Sequence, residues 1–276
     1  MTNMQTIWRY DDIPYKEVER ISTGYDCLDL ILGRTVLPDG TQKLGLPLGK
    51  QSSWSGAKGT GKTRVLSAIV ARMNAEGLRV LFVENEVPPY EFKQWVKGTI
   101  THPENLWISD SNDVDNIVKQ VRQQAPNVLV VDSFSMLKKI KTEDEVETAL
   151  SKLRQVAEQM NCHQIFVAHQ TKAGTVKGPA SFGHLVDTEV ELSKCETPSI
   201  RDLAALFAEK FSCSVDVNIR QLARTEHDKL MPLFQGCFKM LIGKNRFGPS
   251  DGYVIFRHRE TGGPEFVYSS AMREGK

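Results

Sequence analysis

The chain has 276 residues, 40% of them hydrophobic and 25% charged, a size that can bury roughly three quarters of its unfolded surface and a composition that excludes collagen-like and wholly disordered classes. Its 35 Lys and Arg against 34 Asp and Glu leave a net charge of +1. Any contact with nucleic acid or membrane therefore has to come from local clusters rather than bulk charge.

Short apolar, β-branched runs alternate with amphipathic stretches at helical spacing, which predicts an α/β fold with a mostly parallel sheet, flanking helices and an antiparallel C-terminal tail. In chain order, residues 34–49 are turn-rich and read as a surface elaboration. A strand is expected over 50–55, but it is polar apart from Trp54, so burying it would require its hydroxyls to pair with backbone. A helix follows over Arg64 to Glu76, then strands over Arg79 to Glu84 and Asn105 to Ile108, a helix over Asp113 to Gln124 and a strand over Asn127 to Asp132.

The helix predicted over Glu143 to Met160 sets Val146, Ala149, Leu150, Leu153, Val156, Ala157 and Met160 on one face. Thr142 and Glu145 form a capping box at its start. Strands are expected over Gln164 to His169, Val186 to Leu192, Phe238 to Gly243 and Tyr253 to Arg259. Residues 194–237 form an insertion too long for a structureless loop, with a helix expected over Ser199 to Phe211.

Gly56, Ala57, Lys58, Gly59, Thr60, Gly61, Lys62 and Thr63 fit the phosphate-loop pattern GxxxxGK[ST], and a helical pattern follows at once. Glycines let backbone N–H groups approach phosphate oxygens, and the helix presents its positive dipole end. Lys62 would reach the β and γ phosphates of ATP, and Thr63 would ligate Mg²⁺. Asp132, at the end of an apolar strand downstream, fits the acid that holds Mg²⁺ through its water shell. The preceding strand ends in Glu84-Asn85-Glu86, where either carboxylate could activate water; strand alternation would point both the same way and cannot choose between them.

With these motifs stand Arg20-Ile21-Ser22-Thr23-Gly24, Leu28-Asp29, Ala168-His169-Gln170-Thr171-Lys172-Ala173-Gly174, Gly178-Pro179, His184-Leu185-Val186-Asp187 and Lys244-Asn245-Arg246-Phe247-Gly248. Over roughly residues 19–270 the chain resembles the ATPase core of the bacterial RadA (Sms) proteins, within the RecA-like family that also holds the hexameric replicative helicases. The resemblance implies a RecA-like domain over 20–276 behind an N-terminal arm over 1–19. It puts Glu86 rather than Glu84 in the place of the water-activating acid, and His169 in that of the γ-phosphate sensor.

The loop from Thr171 to Gly183 matches one that lines a pore and touches single-stranded DNA, through Lys172 and Lys177 here, with Lys138, Lys139 and Lys141 in the neighbouring pore-loop region. Lysines on Gly-rich loops suit phosphate contacts without sequence readout. Lys244 and Arg246 match the pair that reaches a neighbouring subunit's nucleotide, where a cation stabilises charge on the transferred phosphoryl group.

The resemblance implies a DNA-dependent ATPase of recombination and repair that drives annealing, branch migration or unwinding as a ring hexamer or filament. A recombinase or single-strand-binding protein is a further expected partner. A replicative-type helicase, an ATP-gated annealing protein with incidental hydrolysis and a signalling ATPase that binds no DNA are the alternatives. Typical RadA proteins also carry a four-cysteine zinc motif and a Lon-like domain. Here the five cysteines form no CxxC pair, so the expectation is a core-only version in a reducing cytoplasm. With no basic apolar leader and no run near the ~18 apolar residues of a membrane helix, no membrane partner is expected.

Overall fold

Strands covered on both faces read as continuous apolar runs, and three such runs stand side by side in the parallel part of the sheet. The structure is a computed structural model that describes residues 9–12, 17–138, 140–169, 182–195, 236–259 and 263–270. Its elements begin with β1 (Arg20–Ile21), α1 (Asp26–Leu32), β2 (Arg34–Val36), β3 (Gln42–Leu44), β4 (Leu46–Pro47), β5 (Gln51–Gly56) and α2 (Lys62–Ala75). Then come β6 (Val80–Glu84), α3 (Pro89–Trp95), β7 (Leu106–Ser109), α4 (Val114–Gln124), β8 (Val128–Asp132), α5 (Glu143–Met160) and β9 (His163–His169). The chain closes with α6 (Phe182–Leu185), β10 (Thr188–Lys194), β11 (Cys237–Asn245), β12 (Tyr253–Arg257) and β13 (Glu265–Ser269).

Among the described residues nine strands form one sheet in the order β13-β12-β11-β10-β5-β9-β8-β6-β7. From β10 through β5, β9, β8 and β6 to β7 every pair is parallel, and β11 to β13 add an antiparallel tail. This is the α/β fold with a mostly parallel sheet and antiparallel C-terminal strands that the pattern of runs predicted. Alternation along each central strand feeds two cores. Phe82, Val130 and Val167 pack with Val65, Leu66 and Ile69 of α2, whereas Leu81, Val131 and Phe166 pack with Ile117 of α4 and with Val146 and Leu153 of α5.

The α5 capping box is present: Glu145 N–H donates to Thr142 Oγ1 at 3.3 Å, and Thr142 N–H to Glu145 Oε2 at 3.0 Å. Asp113 caps α4 by accepting the Asn116 N–H. Among the described residues no helix is long and apolar enough to cross a membrane.

The polar run over 50–55 enters β5 at Gln51, and every residue of β5 is buried between β9 and β10, while Lys50 ahead of it is half-buried. Its polar groups pair mainly with side chains rather than with backbone alone. Ser52 Oγ lies 2.9 Å from His163 Nε2 and receives the Trp54 Nε1–H at 3.2 Å, while the Gln51 amide donates to Gln164 Oε1 and to Leu150 O. The expectation of a surface elaboration over 34–49 holds only in part. β2 and β3 form an exposed hairpin, but β4 pairs with β1 and Leu46 is fully buried in the core, because the turn-rich stretch ends in the apolar pair Leu46–Pro47. Most of the insertion over 194–237, including the helix expected over 199–211, lies outside the described residues.

Candidate nucleotide-binding site

The loop between β5 and α2 leaves the carboxyl end of a central parallel strand, where open α/β sheets place their ligands. Gly59 and Gly61 take φ of +84° and +78°, a left-handed conformation that favours glycine. Lys62, 5% exposed, folds back onto its own loop: Nζ donates to Gly56 O at 2.8 Å and Ala57 O at 3.1 Å. Burial lowers its pKa, against the opposing pull of Asp132 and Glu86. Thr63 Oγ1, in the first turn of α2, donates to Asp132 Oδ2 at 2.6 Å.

Strand register brings the other groups to the same edge. His169 stands opposite Gly56, and Glu84 opposite Asp132. Asp132 is 2% exposed, and burial raises its pKa while the Thr63 hydroxyl lowers it. The two glutamates do not point the same way, because β6 ends at Glu84 and strand alternation stops there. Glu84 turns inward, and its Oε1 accepts the N–H groups of Glu86 at 3.0 Å and Val87 at 3.1 Å. Burial and then the charge of Asp132 push it up to about 7. Glu86 faces the cleft instead, with His169 Nε2 2.5 Å from its Oε1. That hydrogen bond, helped by one from Ser133 and by Lys62, holds Glu86 down at about 2 despite burial.

A cleft of about 970 Å³ opens over Lys58, Gly59, Gly61, Lys62 and Thr63, with Glu86 and His169 in its wall. Hard-oxygen donors at Thr63 and Asp132, a lysine beside a glycine loop and open space above Gly59 suit a magnesium nucleotide.

The remaining expected residues are scattered. Lys138 and Lys141 are exposed beyond β8, whereas Lys139, Lys172 and Lys177 lie outside the described residues. Lys244 and Arg246, at the far end of β11, are held by their own chain. Lys244 Nζ donates to Gly183 O, His184 O and Val186 O at 3.2, 2.8 and 2.6 Å, and Arg246 pairs with Asp187 at 3.2 Å.

Sequence reading missed two residues at the site. Asn85 clamps the Glu84 and Asp132 strand ends: its N–H donates to Asp132 O at 2.9 Å and its Oδ1 accepts the Ser133 N–H at 2.8 Å. Its place between two candidate acids was the available signal. His258, just past β12, has Nε2 3.2 Å from Thr60 O in the phosphate loop; no motif surrounds it.

Residues 43–175 match a family model described as an AAA domain. Several proteins named DNA repair protein RadA are similar to the chain. The Campylobacter jejuni one is 25% identical over 218 residues, 77% of this chain and 46% of its own length. The Aquifex aeolicus one is 23% identical over 263 residues, covering 93% and 55%, and the Mycobacterium tuberculosis one 27% identical over 173 residues, covering 60% and 34%. The chain thus spans about a third to just over half of the length of these relatives.

Proposed function

We propose, from the premise that fold, motif order and relatives make this chain a RadA-type RecA-like ATPase core, that it hydrolyses ATP with Mg²⁺ and couples hydrolysis to single-stranded DNA in recombination and repair. The observation that carries the reading is the convergence of Lys62, Thr63, Glu86 and His169 on one cleft at the carboxyl edge of the parallel strands, with Asp132 bonded to Thr63 behind its wall. The link to DNA rests on the RadA relatives, which are named as DNA repair proteins.

In this reading the loop N–H groups and Lys62 bind the phosphates of ATP, and Lys62 leaves the carbonyls of Gly56 and Ala57 to do so. Thr63 and Asp132 hold Mg²⁺, which supplies charge neutralisation on the phosphate oxygens. Glu86 is kept ionised, as a residue that accepts a proton from the attacking water must be. His169 Nε2 holds Glu86 Oε1 at 2.5 Å, and turning the imidazole toward the γ-phosphate frees the carboxylate. The segment after His169, with Lys172 and Lys177, carries that change to DNA, and Lys138 and Lys139 add phosphate contacts. Lys244 and Arg246 serve the nucleotide of an adjacent copy in a ring or filament.

Phosphate release measured with Mg²⁺-ATP, with and without single-stranded DNA, tests the reading. Turnover that DNA stimulates, with stimulation falling steeply as salt rises, is expected. No turnover, or turnover indifferent to DNA at low and high salt, overturns it.

A further inference from the structure

The candidate phosphate loop is fastened from behind by the chain segment that follows β12. His258 Nε2 lies 3.2 Å from Thr60 O, and a carbonyl oxygen only accepts, so Nε2 carries the hydrogen. The ring is wedged edge-on against Phe238 and Phe256, with centroids 4.6 and 5.3 Å away. One residue on, Arg259 O receives the guanidinium of Arg64 in the first turn of α2, so the segment grips both the loop and the helix.

The geometry points to His258 as a positioning residue for the phosphate loop, one that fixes the Thr60–Gly61 peptide with the Gly61 N–H turned toward the triphosphate. The inference rests on the reading above that this loop binds ATP. In a trans peptide the C=O and the following N–H point opposite ways. Gly61 lines the cleft while Thr60 and His258 do not, so a donor that captures the Thr60 carbonyl outside the lining sends the Gly61 N–H the opposite way, toward the cleft. Gly61 lines the cleft, and a Cβ at Gly61 would collide with the His258 ring. Glycine is thus required there twice, once by its φ of +78° and once by the imidazole behind it. A loop peptide free to rotate would lose that orientation and would have to regain it on each binding event.

Fluorescence titration of the full chain with N-methylanthraniloyl-ADP and Mg²⁺, alongside KM and kcat for ATP, tests the assignment in the parent, His258→Phe and His258→Gln. Phenylalanine keeps a ring against Phe238 and Phe256 but has no N–H; glutamine restores a donor without the ring. The phenylalanine variant is expected to bind about tenfold more weakly, from loss of one hydrogen bond that orients a phosphate donor. Its KM should rise while kcat changes much less. The glutamine variant should recover most of the affinity. Parent-like binding by His258→Phe, or equally weak binding by both variants, overturns the assignment. Failure of the parent to bind the nucleotide overturns instead the reading on which it rests.

Discussion

The His169 imidazole meets the Glu86 carboxylate at 2.5 Å although their strands, β9 and β6, are not neighbours: β8 runs between them. The contact spans the strand that carries Asp132, so three of the groups assigned to hydrolysis form one row across the strand ends. A change at His169 is therefore felt at the acid without passing through the core.

This arrangement separates the two glutamates by experiment. Glu86→Gln removes the only one of the pair that faces the cleft, and kcat is expected to fall by about 10² or more. Glu84→Gln keeps an oxygen acceptor for the Glu86 and Val87 N–H groups, so turnover should change by only a few-fold. Steady-state phosphate release on both variants checks this, and an inactive Glu84→Gln beside an active Glu86→Gln would reverse the assignment.

Glu84 and His163 give opposing pH dependences of stability. Glu84 rises from 4.5 to about 7, so between those values the folded chain holds a proton that the unfolded chain has lost, and stability falls as pH rises. His163, fully buried against Ser52 and Pro47 O, drops from 6.5 to about 4. Between those values only the unfolded chain is protonated there, so stability rises with pH. Glu84→Gln should match the parent near pH 4 and exceed it by on the order of 3 kcal/mol at pH 8. Urea melts across that range give the difference directly; equal stability at pH 8 would contradict it.

The residues gathered at the carboxyl edge were legible because they sit in dense local signals, a glycine loop and an apolar strand ending in an acid, as the α5 cap was from its Thr142 and Glu145 spacing. What escaped was whatever depends on contacts distant in sequence. The polar β5 looked unfit for a sheet centre because its partners, His163 and Gln164, lie more than a hundred residues away. Leu46 looked like loop until β1 gave it a strand partner. Glu84 and Glu86 looked equivalent because alternation says nothing about where a strand stops, and only the turn closed by Asn85 separates them. His258 carries no local signal, since its role comes from a strand added at the far end of the chain.

The Thr63 and Asp132 pair predicts how the metal enters the binding energy. In the parent, Mg²⁺ should tighten nucleotide binding, whereas Asp132→Asn removes the buried carboxylate that Thr63 now contacts at 2.6 Å. That variant should bind nucleotide with nearly equal affinity in Mg²⁺ and in chelator. It should also melt no lower than the parent when empty, because burial disfavours the charge it removes. Paired titrations with and without Mg²⁺ decide the first point, and a persisting Mg²⁺ effect in Asp132→Asn would place the metal elsewhere.

Whether Lys244 and Arg246 act across a subunit boundary turns on whether they can leave the groups that hold them. Asp187, 3% exposed, would not be stranded if Arg246 swung away, since Arg154 lies 3.5 Å from it and the Gln51 N–H donates to it at 3.0 Å. Lys244 leaves backbone carbonyls in and just after a short helix, groups that water or another donor can satisfy. Both releases are thus inexpensive, and head-to-tail contact between copies would offer a triphosphate in exchange. Lys62→Ala and Arg246→Ala should each be nearly inactive alone. Mixed in equal amounts and allowed to exchange, they should regain activity, because about a quarter of random interfaces pair an intact phosphate loop with an intact arginine. Activity of the mixture no greater than that of the separate variants would confine both residues to their own chain.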